Sequence, residues 1–351
     1  MTHPEAALAP DLAPQVQHNC DIADAQFARD YTMCIYLLKM RELFRWENGL
    51  AFGDTLPKEA LGDWLRAREQ RWEDLETSDF RSMNLGAGEF EPFASRDINR
   101  HLLEHDLVYS GGIGGSGRPH FFLGRLLQRE ERHGHPILVV GRELARDLAA
   151  PPAMTQDGVV YVRRESLQRL LWERIEEWRW HKRDAPMGRA ATHYGFDDDF
   201  EAALEAMTDA EVETAVLHEL GELEAGRQLG EQWEALLAQL FRGRLEYLVR
   251  AVRDHLADTA ITLPRLIERE AAPSIHFYMA NLAGLRREIF PALVAAYGRW
   301  HNDGDWRPLA DAVSGAHEHW SSVAERLLEL YREYGEMVAP QLEARQEEFY
   351  F

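Results

Sequence analysis

A change of apolar period along the chain restricts its fold more than any other feature. Up to about residue 105, apolar side chains recur at helical spacing. Between 106 and 164 the runs DLVYS, PHFFLGRLL, HPILVVG and GVVYVRR are short and β-rich, with the period falling toward two. From Glu165 onward helical spacing returns and persists. Such a pattern predicts a mainly α protein: an α+β N-terminal half with a small antiparallel sheet, followed by an all-α helical bundle. At 351 residues the chain exceeds what one core organises, so two domains are expected. Residues 1–18, rich in Pro and Ala, read as a flexible or surface-docked arm, 19–182 as the α+β domain, 183–195 as a linker and 196–351 as the bundle.

Within the first domain the spacing predicts one long helix over 21–48, stopped by Gly49, with Phe27, Tyr31, Ile35 and Leu38 as its buried stripe. Further helices are expected over 57–76 and 96–105. Cys34 falls in this apolar helix and reads as a small buried hydrophobe, and with Cys20 the only other cysteine there is no disulfide framework. The bundle is predicted to contain helices over 199–207, 209–228, 231–257, 262–271, 274–300 and 316–347.

Charge excludes two classes of partner. Sixty acidic residues against 39 basic ones give a net charge of -21, so nucleic acid and anionic membrane should both repel the chain. No run of eighteen apolar residues and no secretory leader pattern occurs, which leads to the expectation of a soluble cytoplasmic protein.

Four constellations carry candidate chemistry. In TAVLHELGE, a helix places His218 and Glu222 on one face one turn apart with Glu219 beside them, as zincin-like helices present two ligands and a base. The pattern has Glu where a zincin has its second His. With acids this abundant, such a string arises by chance about 0.4 times in a chain of this composition. Gly221, inside the same helix, costs about 1 kcal/mol relative to Ala and calls for a close approach by a neighbour. The later helices supply candidate third ligands, His276 first and His317 second. The second string, HLLEH, has the inverted form H-x-x-E-H, with His101 and His105 as candidate ligands and Glu104 as base; a helix end whose histidines answer the C-terminal dipole is the favoured reading of it. Glu42 puts a carboxylate into the apolar stripe of the first long helix, either paired with Arg41 or Arg45 or acting as a metal ligand or catalytic acid. Finally, Gly112, Gly114 and Gly117 spell G-x-G-x-x-G after a strand, with Arg118 and His120 following. A second strand follows in place of a helix, so no nucleotide cofactor is supported; a ligand-binding loop and a hairpin connection remain the two readings. The nucleophile elbow G-x-S-x-G does not occur.

Taken together, HNCDIADA, MCIYLLKMRELFRWE, GRPHFFLG, ARDLAAPPAM, VVYVRRESL and LHELGE resemble an uncharacterised family of bacterial proteins, a domain of unknown function, over nearly the whole chain. The resemblance implies no activity. From the residues themselves, the expectation is a metal-dependent enzyme built on His218, Glu219 and Glu222. Zinc would make it hydrolytic; iron, joined by Glu42 and a second histidine, would make it oxidative. The rival is a non-catalytic helical scaffold with structural histidines. Whether the partner is a small-molecule substrate or another protein is left open.

Overall fold

Residues 5–18, expected to belong to a flexible or surface-docked arm, are helical. The computed structural model describes residues 5–86, 88–114, 117–181, 185–240 and 243–351, and helix α1 spans Glu5–Phe27 in spite of Pro10 and Pro14. Each proline removes a helical hydrogen bond, and that signal hid the stripe beneath it. Ala9, Leu12, Val16, Cys20 and Ala23 recur every three or four residues and are all buried. Burial of this stripe on the sheet outweighs the two missing bonds.

The long helix expected over 21–48 is broken. A 3₁₀ turn, Ala28–Asp30, and extended Tyr31 separate α1 from α2, Met33–Glu47. This reorients the second segment: Met40, Leu43 and Phe44 are buried while Ile35 and Leu38, expected in the core, are exposed, as is Cys34. Helix α3, Lys58–Leu75, completes this layer. A two-stranded ribbon, β1 Met83–Asn84 with β2 Glu89–Phe90, precedes α4, Ser95–Leu102.

The main sheet contains β3 Leu107–Ile113, β4 Pro119–Arg132, β5 His135–Arg146, β6 Ala153–Gln156 and β7 Val159–Arg163, in the order β3-β4-β5-β7-β6. Three of its four pairings are antiparallel, but β5 and β7 run parallel, Ile137 opposite Val160 and Val140 opposite Arg163. The sheet is therefore mixed, where a purely antiparallel one was expected. Alternation of side chains records which face a residue takes, not strand direction. The two-residue turn Asp157-Gly158, both at positive φ, folds β6 back as the edge strand and inserts β7 beside β5. One face packs Tyr109, Phe121 and Leu123 on the α1 stripe; the other joins Val108, Phe122, Leu138, Val140 and Tyr161.

The chain divides into two compact units, one ending at Trp172 and the other beginning at Glu173. Helix α5, Arg164–His181, runs across that division, and α6, Pro186–Tyr194, occupies most of the segment expected as a linker. The second unit is helical throughout its described residues: α7 Phe200–Leu229, α8 Glu231–Gln239, α9 Arg244–Ala257, α10 Leu263–Glu268, α11 Ala272–Asn281, α12 Gly284–Glu288, α13 Pro291–Asp303, α14 Arg307–Tyr334 and α15 Val338–Glu343. A π-helical turn, Asp258–Thr262, links α9 to α10. Trp233, Val249, Leu256, Phe290, Trp320 and Leu327 are among the side chains of its core. Among the described residues no helix is long and apolar enough to cross a membrane.

Candidate functional site

Gly221 explains why α7 and α9 can cross as closely as they do. A Cβ on it would lie 2.6 Å from the carbonyl oxygen of Ala257, inside any real contact distance. The crossing sets two pairs of polar residues, each one helical turn apart, toward one another: His218 and Glu222 on α7, Asp254 and Asp258 at the end of α9. The π turn begins at Asp258, and such turns frequently mark functional positions.

Asp258 is the buried centre of this cluster. Its Oδ1 lies 2.9 Å from His218 Nδ1, while Oδ2 accepts from the Tyr278 hydroxyl at 2.9 Å and from the guanidinium of Arg286. Burial alone would raise its carboxyl, but Arg286 and His218 hold it well below the usual carboxylate range. On the other side of the ring, His218 Nε2 lies 3.5 Å from Glu222 Oε1, and Glu222 Oε2 lies 3.7 Å from Arg253. Burial opposes a charge on His218, yet Asp258 foremost, then Glu222 and Glu219, raise its pKa to about 9. Asp254 sits 3.7 Å from Arg286 Nε, and burial with help from Glu222 raises its carboxyl in spite of Arg286. The His218 side chain is 35% exposed, so the ring is not sealed in the core as Asp258 is.

Neither expected third ligand engages His218. His276 Nδ1 meets the Tyr297 hydroxyl at 2.9 Å, against the rings of Trp300 and His301, and burial with His301 and Arg189 lowers its pKa to about 4. His317 Nδ1 lies 3.4 Å from Thr259 Oγ1, on the π turn but one residue past Asp258. The partner that His218 meets outside α7 is instead Asp258, with Asp254 one turn before it against Arg286, and the sequence shows the two only as the plain string RDHLAD. Their i, i+4 spacing was the available signal. Among the described residues no three His, Cys, Asp or Glu stand together as a preformed metal site. A second overlooked residue is Glu211, buried on α7, where it accepts a 2.8 Å hydrogen bond from Ser274; burial raises its pKa to about 7 against the effect of Ser274 and Thr214.

In the first unit the candidates separate. Glu42 is buried with Arg45 at 3.4 Å, the structural pairing, and its carbonyl accepts from Arg146. His101 lies against Phe90 on the surface of α4, and His105 closes a 3₁₀ turn after it. The glycine string is the β3–β4 hairpin. Gly112 lies inside β3 because a Cβ there would overlap the Gln156 side chain at 1.5 Å, and Gly114 makes room for the His120 ring. Gly117 takes the positive φ of the turn and donates to Gly114 O; residues 115 and 116 lie outside the described set. Arg118 pairs with Asp30 at 3.1 Å, and His120 Nδ1 lies 3.1 Å from Asp147, whose carboxyl is lowered to about 2, against burial, by His120 and Arg163.

The motif segments of this unit meet beside α1. Cys20 donates to Phe121 O, Asp24 accepts from Leu148 N at 2.9 Å, and Gln17 exchanges bonds with the backbone of Arg146. HNCDIADA, GRPHFFLG and ARDLAAPPAM are thus one buried polar junction. Fold and site together define a two-unit, mostly helical protein with a mixed sheet in its first unit and a His–carboxylate centre in its second. Residues 11–163 match the N-terminal domain, and residues 168–349 the C-terminal domain, of the family of unknown function DUF6866; the chain belongs to that family. No curated protein and no solved structure matches it.

Proposed function

We propose that the chain is a cytoplasmic metal-dependent enzyme whose divalent cation is held by His218 Nε2 and Glu222, with Asp254 as the further carboxylate and Glu219 as the neighbouring base. What supports this reading is the facing of two one-turn pairs, His218/Glu222 and Asp254/Asp258, across the crossing at Gly221. Asp258 has the supporting place: its contact with Nδ1 fixes the ring so that Nε2, on giving up its proton, would be the free ligand atom beside Glu222, the carboxylate–histidine arrangement that metal-binding histidines use. Charge favours a cation as well. The carboxylates of Glu222, Asp254 and Asp258 outnumber the guanidiniums of Arg253 and Arg286 that pair with them, an acidic balance that a cation would offset. Zinc in such a site would activate water for hydrolysis, and iron would suit oxidative chemistry.

The second reading is a non-catalytic scaffold, favoured by the ion pairs that already engage Asp258 and Glu222 with Arg286 and Arg253. Metal analysis of protein purified without a histidine tag, then loaded with zinc or ferrous iron, separates the two. Near-stoichiometric metal is expected, lost in His218→Ala and diminished in Glu222→Gln. Because His218 holds its proton up to a pH of about 9, metal uptake should release a proton, and apparent affinity should rise roughly tenfold per pH unit below that value. Substoichiometric metal, unchanged in His218→Ala, would establish the scaffold reading.

A further inference from the structure

In the first unit, one stripe of α4 and one face of the sheet enclose a cavity of about 400 Å³. Arg129 on β4, Leu138 on β5 and Tyr161 on β7 stand side by side across three neighbouring strands. Pro136 and Val159, two residues earlier on β5 and β7, share their face. Opposite them Arg96, Asn99, Arg100 and Leu103 recur at i, i+3, i+4 and i+7 along α4 and the turn after it, while Ile98 and Leu102 of α4 pack into the core. The lining reverses the balance of the chain. Arg96, Arg100 and Arg129 stand there with one acid, Glu104, although acidic residues outnumber basic ones 60 to 39 overall. Asp97 pairs with Arg100 at 2.6 Å and Arg96 donates to Asp157 O at 3.3 Å, but the Arg129 guanidinium has no ion pair or hydrogen bond among the described residues.

A second observation points to a ligand. Tyr161 is 2% exposed and its hydroxyl accepts from Asn99 Nδ2 at 3.2 Å, but its own proton has no acceptor among the described residues. Buried tyrosine hydroxyls usually find one. We propose that the cavity binds a small carboxylic acid with an apolar body, its carboxylate meeting Arg129 and Arg96 and accepting from the Tyr161 hydroxyl. Leu103, Leu138 and Val159 form the wall on which the body lies. An enclosure of this volume, largely apolar with a few donors, is that of a small-molecule site. The charge count selects the head group. Of three guanidiniums, Asp97 offsets one and Glu104 a second, which leaves one positive charge, suited to a carboxylate and insufficient for a doubly charged phosphate.

Titration calorimetry on the full chain with straight-chain acids from butanoate to decanoate tests this. At least one acid should bind saturably, one per chain, and the alcohol of equal length should bind at least roughly tenfold more weakly, since a hydrogen bond to a charged group is at stake. Arg129→Gln and Tyr161→Phe should each weaken the acid by roughly tenfold and leave the alcohol unchanged. Both variants should keep the fold: Arg129 is exposed, and without the Tyr161 hydroxyl the Asn99 amide still donates to Tyr109 O at 2.7 Å. Equal urea midpoints check this. No binding across the series, an acid that binds no better than its alcohol, or binding indifferent to both substitutions would overturn the proposal. An aspartate-rich peptide that binds where no free acid does would overturn it too, and assign the cavity to a protein partner. All these residues lie in the first unit, and calorimetry without added metal reads nothing of His218, so the two proposals fail separately.

Discussion

At the residue scale, Gly221 and Glu211 show that position on α7 matters more than residue type. Replacing Gly221 with Ala gains about 1 kcal/mol of helix propensity. It also drives a methyl group into the Ala257 carbonyl, and overpacking of this kind typically costs about 1–3 kcal/mol. The clash is with backbone, which cannot swing aside, so the net effect should be destabilising. A urea midpoint equal to or above that of the parent would show that the crossing is looser than described. Glu211 predicts a pH dependence. Its folded pKa of about 7 lies above the ordinary 4.5, so the unfolded chain gives up this proton first, and stability falls as pH rises through that window. The loss is full above about 7 and absent below about 4.5, with an upper limit of roughly 3 kcal/mol. Urea midpoints recorded across this range should flatten in Glu211→Gln; an unchanged slope would assign the dependence to another group.

Elements carry the next set of consequences. Helix α1 is held by its stripe against the sheet and not by propensity, given Pro10 and Pro14 within it. Truncating one fully buried member, Leu12→Ala, should cost about 2–5 kcal/mol, visible as loss of cooperative unfolding of the first unit. A loss under about 0.5 kcal/mol, the size of an exposed-surface substitution, would mean that α1 docks only marginally. The break at Ala28–Asp30 has the opposite result for α2, whose N-terminal half is left apolar and uncovered. In the sequence these two helices form one stripe, because Phe27, Tyr31, Ile35 and Leu38 keep perfect spacing across the break. Periodicity cannot register a change of axis.

For the whole molecule, a net charge of -21 must be set against any self-association. Two such chains repel one another over a Debye length of about 10 Å at 0.1 M salt and about 30 Å at 0.01 M, so any self-association should strengthen as salt screens the repulsion. Sedimentation velocity at low and physiological salt would show it, and weakening by salt would indicate a contact dominated by ion pairs. What the sequence determined by itself is what local spacing controls: a helical half with sheet, a mostly helical half, and the presence of His218, Glu222 and a close neighbour to Gly221. These follow from side-chain period and from the cost of glycine in a helix, both of which act over a few residues. Tertiary structure alone decided that β7 lies parallel to β5, that α1 and α2 part company, and that Asp258, forty residues from His218, reaches its ring before His276 or His317 does. Strand direction, helix axes and the pairing of distant charges depend on how elements pack, and packing is set by long-range burial that no local period encodes.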